Sequence, residues 1–154
     1  MFAAIIDFTN LLLAALLVGA MFAVWLVFNP AGLDARTYVS LHQQGVRTLH
    51  PALPILGVTT ILVTITAAAL GRSDSTRFWL LLATAACFAA SGLITRFLNM
   101  PINAIVMTWN SDSLPSHWME LRNAWWRWHC LRLVTGLAGF SLLLGATLKH
   151  NLTR

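Results

Sequence analysis

The chain has 154 residues, of which 58% are hydrophobic and only 10% are charged, and its formal net charge is +5. A soluble domain carries about a quarter charged residues, so this composition excludes an ordinary soluble globular protein. The positive charge is not gathered in a basic cluster and accompanies no RNA- or DNA-binding motif, so nucleic acid is not an expected partner. The apolar residues fall in long runs, which makes membrane lipids the expected surroundings.

Four apolar runs are long enough to cross a membrane as helices. A span needs about 20 residues, because a helix rises about 1.5 Å per residue across a hydrocarbon core of about 30 Å. The predicted fold is therefore all-α, an integral membrane antiparallel four-helix bundle that forms a single domain over the whole chain. The predicted spans cover residues of about 5–28, 53–70, 78–98 and 118–148.

The connections between these spans differ in length. Residues 72–77 form a short turn, whereas the connections over about 29–52 and 99–117 are long. In a chain with four spans, both long connections lie on one side of the membrane, and the short turn and both termini lie on the other. Arg72, Arg77, Lys149 and Arg154 favour cytoplasmic termini in a bacterial inner membrane, although arginines at the opposite end argue against that orientation.

Polar side chains gather at the membrane face that carries the long connections. Ionisable groups near hydrocarbon are costly and usually face the interior of a bundle, so these residues predict a polar pocket. The residues predicted to carry its chemistry are Arg47, Arg96, His129 and Arg132. Those predicted to contact a ligand are Gln44, Asn99, Asn103, Trp109 and Trp125.

One stripe of the fourth helix carries guanidinium, indole and imidazole groups. Its members follow spacings of three, four and three residues and are Arg122, Trp125, His129 and Arg132. Gly136 and Gly139 continue the stripe with small residues that let a neighbouring helix approach closely. The stripe is therefore predicted to face inward, with His129 as the candidate base.

Structural interpretations compete with the functional ones at several positions. Tryptophans at a membrane interface are mostly anchors, and arginines such as Arg122 can extend towards lipid phosphates. A metal or haem site is an alternative in which His42, His50 and His129 meet at one membrane face. The sequence contains no HxxxH or ExxH pair, so no metal is predicted.

Two segments resemble the anthrone oxygenase family, whose many bacterial members are small four-helix membrane proteins. One is an Asn-x-Pro-x-Asn segment after the third helix, and the other is a Trp-x-x-Trp-His-x-x-Arg segment that opens the fourth. The residues that carry the resemblance are Asn99, Pro101, Asn103, Trp125, Trp128, His129 and Arg132. The hydropathy layout matches over essentially the whole chain, but many relatives are expected to have Asn where His129 stands.

The resemblance implies oxidation of a hydrophobic aromatic or quinone-like molecule. The fungal members that name the family oxidise polyketide anthrones to anthraquinones without a recognisable cofactor motif, so O2 is the expected cosubstrate and no cofactor is predicted. In this hypothesis, His129 removes a proton from an acidic CH and an arginine stabilises the oxyanion.

Two other classes of function compete with an enzyme. In a structural or interaction protein, the arginines and asparagines would lock helix ends together. A small transporter is less favoured, because the spans place no carboxylate in mid-membrane to carry protons. Asp7 lies near the edge opposite the predicted pocket. The expected partners are membrane lipids, a hydrophobic aromatic molecule and a second copy of the chain in a homo-oligomer.

Overall fold

The structure, a computed structural model, describes residues 2–152 and confirms the predicted all-α membrane bundle. Four of its helices are long and apolar enough to cross a membrane. These four helices are α1 (Phe2–Val27), α3 (Ala52–Leu70), α4 (Ser75–Ile94) and α6 (Trp118–Leu152). Within residues 2–152 there is no strand beyond an isolated bridge between Asn110 and Ser113. The chain is an integral membrane protein.

The first long connection contains a helix that does not cross the membrane. A 3-10 turn (Pro30–Gly32) leads into α2 (Ala35–Leu49), whose first turn is capped by the Asp34 side chain. The Asp34 carboxylate accepts hydrogen bonds from the backbone N–H of Thr37 at 3.0 Å and from its hydroxyl at 2.7 Å. Such a cap satisfies a helix N–H that has no partner inside the helix.

The third span continues further than the sequence predicted. α4 passes through a π-helical turn (Thr95–Asn99) into α5 (Met100–Val106), so the predicted end near residue 98 is too early. Pro101, which follows the predicted end of the span, lies in the first turn of α5, where a residue without an N–H is tolerated. Compared with a continuous α-helix, the π turn changes the direction in which every later side chain points around the helix axis.

The two long connections meet on one side of the membrane, as predicted. Gln43 of α2 donates hydrogen bonds from Nε2 to the backbone carbonyls of Val106 and Trp109, each at 3.0 Å. These carbonyls lie at the end of α5 and beyond, where a helix leaves acceptors unpaired. An exposed ion pair between Arg36 and Asp112 joins the same two connections.

Glycines on α6 set the close packing of the bundle, as the stripe predicted. A Cβ added at Gly136 would lie 2.6 Å from Cε of Met21 in α1. One added at Gly139 would lie 3.0 Å from Cβ of Cys87 in α4. The absence of side chains at these two positions therefore lets α1 and α4 approach α6 closely.

Polar pairs join the helices elsewhere in the bundle. Near the short turn, Arg77 of α4 donates to the Asp7 carboxylate of α1 at 2.5 Å, and both side chains are largely buried. Deeper in the bundle, the Thr64 hydroxyl of α3 donates to Oδ1 of Asn10 in α1 at 2.8 Å. Neither pair lies on the wall of the cavity described below.

Candidate functional site

A cavity of about 450 Å³ lies at the membrane face that carries the long connections. Parts of α1, α2, α3, α5 and α6 form its wall together with the π turn, and most of that wall is apolar. Its size is within the range of small-molecule pockets, about 300–1,000 Å³. The polar side chains on the wall are His42, His50, Thr95, Asn103, Trp125 and Arg132.

Arg132 brings a positive charge to this wall without a carboxylate to balance it. Its Nε and Nη2 both contact Nδ1 of His129, at 3.1 and 2.9 Å, and Nη1 donates to the Thr95 hydroxyl at 3.3 Å. The ion pairs found within residues 2–152 do not include Arg132. A guanidinium has five N–H groups, so these contacts leave two for another acceptor.

His129 lies behind this arginine and not on the cavity wall. Its side chain is fully buried, and its Nδ1 faces two N–H groups of Arg132. Nδ1 must therefore present its lone pair, and the ring carries its hydrogen on Nε2. Nε2 makes no hydrogen bond to any described residue, although the Met21 carbonyl of α1 is close enough to interact electrostatically. The structure thus makes His129 the acceptor that orients Arg132.

Two tryptophans lie almost parallel to the His129 ring. The Trp125 ring centre is 5.3 Å away with an angle of 7° between the planes, and that of Trp126 is 5.6 Å away with an angle of 17°. Trp125 is buried and lines the cavity, and its Nε1 donates to Oδ1 of Asn103 at 2.8 Å. The indoles therefore fix the imidazole that in turn holds Arg132.

His42 of α2 shares the same acceptor. Its Nε2 lies 3.0 Å from Oδ1 of Asn103. An indole can only donate, so the Asn103 atom that Trp125 contacts is the amide oxygen, and His42 must also donate to it through Nε2–H. Nδ1 of His42 is then a lone pair, and it is buried without a partner among the described residues. Burial lowers the pKa of His42 to about 4, against the opposing effect of the Asn103 hydrogen bond.

Asn99 holds two helices together and is not on the cavity wall. Its side chain is fully buried in the π turn, and its Nδ2 donates to the backbone carbonyl of Trp125 at 3.0 Å. The prediction that Asn99 contacts a ligand is therefore not supported by its position. Asn103, its partner in the sequence motif, does line the cavity.

The structure does not bring Arg47 and Arg96 to the cavity, so the prediction of a shared cluster of arginines is wrong for both. Arg47 lies on the exposed face of α2. Arg96 is exposed at the π turn, where its guanidinium lies 5.8 Å from the centre of the Phe97 ring. Both positions let a charge remain outside the bundle, which avoids the cost of burying an unpaired cation.

Two predicted ligand contacts also lie away from the cavity. Gln44 is exposed on α2. Trp109 is half-buried and packs beside Val39 and Gln43 on another side of that helix. α2 therefore separates these residues from the space that Arg132 faces.

The alternative metal site does not form. Within the part of the chain that the structure describes, no three His, Cys, Asp or Glu side chains come together as a metal-binding group. His42 and His50 line the cavity, whereas His129 lies behind it. The Nδ1 lone pair of His129 is already used by Arg132, whose charge would also repel a cation.

Sequence reasoning missed the central position of His42, which it weighed only as a metal ligand. The signal was the capped amphipathic segment that begins after Asp34. Tyr38, Val39 and His42 follow a helical spacing, and all three are buried on one face of α2. Treating residues 29–52 as a plain connection hid that face.

One family model matches the segment of the chain that carries most of the site. The family model described as "Anthrone oxygenase" matches residues 43–142, which is well over half of the chain. No curated protein and no solved structure matches the chain. The matched segment contains Asn103, Trp125 and Arg132, which line the cavity, and His129, which lies behind Arg132. Because the matched segment covers well over half of its residues, the chain belongs to the anthrone oxygenase family.

Proposed function

We propose that the cavity binds a hydrophobic aromatic molecule that carries a carbonyl or phenolic oxygen, and that the protein oxidises this molecule with O2. The supporting observation is Arg132, a guanidinium on an apolar wall with no carboxylate partner among the described residues and two N–H groups to spare. A charge kept inside a membrane protein is costly and usually marks a functional site. The group that best compensates it is an oxygen that gains negative charge during a reaction.

The reaction that fits this charge starts from an acidic CH2 group conjugated with a carbonyl. A base removes one proton, and the electron pair moves onto the carbonyl oxygen beside Arg132. The resulting carbanion reduces O2 as a C–O bond forms and the oxygen takes up a proton. Loss of the second CH proton breaks the O–O bond, which leaves a new carbonyl and releases water. O2 is the oxidant, and the four electrons come from the two C–H bonds.

His42 is a better candidate for the base than His129. A base needs a free lone pair, and that of His129 is occupied by two N–H groups of Arg132. His42 lines the cavity, and its Nδ1 has no hydrogen-bond partner among the described residues. Its lowered pKa of about 4 keeps the imidazole neutral near pH 7. In this proposal His129 positions Arg132, and Asn103 positions His42.

The proposed location is a bacterial inner membrane with both termini in the cytoplasm. Arg72 at the short turn supports this orientation by the rule that short cytoplasmic loops are basic. Reporter fusions at the C-terminus and at Asp34 would test it, since the two positions are expected on opposite sides.

Oxygen uptake by the purified full chain tests the proposed activity. In lipid nanodiscs with anthrone, we expect consumption of O2 and, with isotopically labelled O2, one labelled atom in the carbonyl of the anthraquinone product. Arg132→Gln should lose most of this activity, whereas Arg96→Gln, which removes an exposed arginine, serves as the matched control. A wild-type protein that neither binds anthrone nor consumes O2 would instead favour a structural role.

A further inference from the structure

The rim of the cavity is mostly apolar. Five residues on the cavity wall are exposed on the outside of the protein, and His50 is the polar one among them. Val27 has 84% of its surface exposed and Leu41 has 44%. The exposed apolar residues on the wall are Val27, Leu41, Pro54 and Ala104.

Most of this rim belongs to the membrane spans. Val27 lies in the span Ala3–Gly32, and Pro54 lies in the span Ala52–Leu70. Ala104 lies near the end of the span Ser75–Val106. Exposed apolar side chains on spans contact lipid. The side of the cavity that they surround therefore faces the bilayer near its edge.

The polar groups lie deeper than the rim. His42 and Trp125 are buried, and Asn103 and Arg132 are partly shielded, so none of them is fully exposed at the mouth. His42 and Trp125 are both hydrogen-bonded to the amide oxygen of Asn103. Polarity thus increases from the mouth to the inner wall. His50 is the single polar side chain among the exposed rim residues, so the rim offers few polar contacts to a ligand that enters from water.

We infer that the cavity is loaded sideways from the bilayer by an apolar molecule already dissolved in the lipid, which enters with its hydrogen-bond-accepting oxygen first. This inference rests on the proposed function for the choice of ligand, a planar aromatic ketone. The oxygen reaches the free N–H groups of Arg132, and the apolar remainder fills the wall formed by α1, α2 and α5. The ligand class is therefore uncharged and strongly lipid-soluble.

Gly45 offers a way to close the mouth without disturbing the fold. It lies on the cavity wall in α2, and a Cβ added there meets no atom within 4 Å. Gly45→Phe should therefore be accommodated by the helix while its ring narrows the cavity. Gly19→Phe is the matched control, since Gly19 is also free of neighbours within 4 Å but lies on α1 away from the cavity. Ala104→Phe narrows the same mouth from α5 and covers the case in which Gly45→Phe fails to fold.

The experiment uses nanodiscs whose lipid is preloaded with anthraquinone. It measures the rate at which this anthraquinone binds to the full chain. We expect Gly45→Phe and Ala104→Phe to slow association by about 10-fold or more, with Gly19→Phe unchanged. A charged anthraquinone sulfonate added in water should bind at least about 10-fold more slowly than anthraquinone, although its anion would pair well with Arg132 if an aqueous path existed.

The outcomes separate this inference from the proposed activity. Rapid binding of the sulfonate, or association that is unchanged by both mouth variants, would overturn the lateral route even if anthrone is oxidised. Slowed association in the mouth variants without any O2 consumption by the wild type would support the route and reject the oxidation. Absence of anthraquinone binding to the wild type would overturn both.

Discussion

Nδ1 of His129 accepts both Nε–H and Nη2–H of Arg132, at 3.1 and 2.9 Å, so the two residues act as one unit. The pairing gives the buried imidazole a role that its position on the helical stripe did not reveal. It fixes the orientation of a cation whose other contact is the neutral Thr95 hydroxyl. A guanidinium held in this way is ready to receive an oxygen without rearrangement, which is the condition for electrostatic stabilisation of a developing charge.

Replacement of Arg132 should weaken ligand binding more than replacement of any other arginine near this face. Hydrogen bonds to a charged group contribute about 1.5–3 kcal/mol, so we expect Arg132→Gln to raise the Kd for anthraquinone about 10- to 100-fold. Equilibrium binding in nanodiscs measures this change. Arg96→Gln removes an exposed guanidinium that is not on the cavity wall and should leave the Kd unchanged. Equal effects of the two substitutions would contradict the assignment.

Matched substitutions of the two histidines should separate the base from the positioning residue. In His42→Gln, the amide can still donate to Asn103 as Nε2–H does, but the Nδ1 lone pair is lost. In His129→Asn, the amide oxygen can replace Nδ1 as the acceptor for Arg132. We expect His42→Gln to lower kcat for anthrone oxidation by about 100-fold or more, and His129→Asn to retain most of it.

Deuterium exchange distinguishes a lost base from a disturbed fold. Without O2, the wild type should exchange the CH2 hydrogens of anthrone with heavy water faster than buffer alone does. His42→Gln should lose this exchange while it still binds anthraquinone with an unchanged Kd. Exchange at the wild-type rate in His42→Gln, together with its loss in His129→Asn, would return the role of base to His129.

Stability should depend on pH through His42. Its pKa is about 4 in the folded protein and 6.5 in the unfolded chain, so below pH 6.5 the unfolded state binds more protons. The contribution of His42 to stability is therefore fully present above about pH 6.5. It decreases as the pH falls and reaches its lowest value near pH 4. The difference between these pKa values corresponds to about 3 kcal/mol.

Thermal unfolding of the wild type and of His42→Gln between pH 7.5 and about 4 measures this contribution. The groups around His42 that also carry charge or titrate are Tyr38, His50 and Arg132, and both proteins retain them. The loss of stability on acidification should be smaller in His42→Gln. Parallel pH curves for the two proteins would show that the buried imidazole does not titrate as described.

The sequence alone predicts the spans well because hydropathy reports on them directly. Runs of apolar residues define where helices cross, and the short turn at residues 72–77 fixes the antiparallel order. The inward face of α6 also follows from local spacing, since Trp125, His129 and Arg132 follow one another at intervals of about one helical turn. All of these features depend on neighbours along one helix.

The cavity depends on contacts that local patterns do not contain. His42 reaches Asn103 across 61 positions of sequence, and that contact exists because α2 folds back over α5. The π turn at Thr95–Asn99 changes the facing of the residues that follow it, among them Asn103, which lines the cavity. Arg96, inside the turn, is exposed. The sequence therefore predicts which residues lie at the same depth in the membrane, but not which of them face the cavity.

The buried ion pair between Asp7 and Arg77 should be the strongest polar contribution to stability at the opposite end of the bundle. Arg77 donates to the Asp7 carboxylate at 2.5 Å, and the two side chains are 5% and 15% exposed for Arg77 and Asp7 respectively. Asp7→Asn leaves a buried guanidinium without its counterion, which should cost about 3–5 kcal/mol. Thermal or denaturant unfolding in detergent measures the loss.

The exposed pair between Arg36 and Asp112 provides the comparison for this prediction. Both of its side chains are well exposed, so Asp112→Asn should change stability by no more than about 1 kcal/mol. Gly71→Ala tests the geometry around the buried pair, since an added Cβ would lie 2.3 Å from Nη1 of Arg77 and displace the guanidinium. Because Gly71→Ala and Asp7→Asn disturb the same contact, their combined cost should be less than the sum of the two. Equal losses for Asp7→Asn and Asp112→Asn would show that burial adds nothing to the Asp7–Arg77 pair.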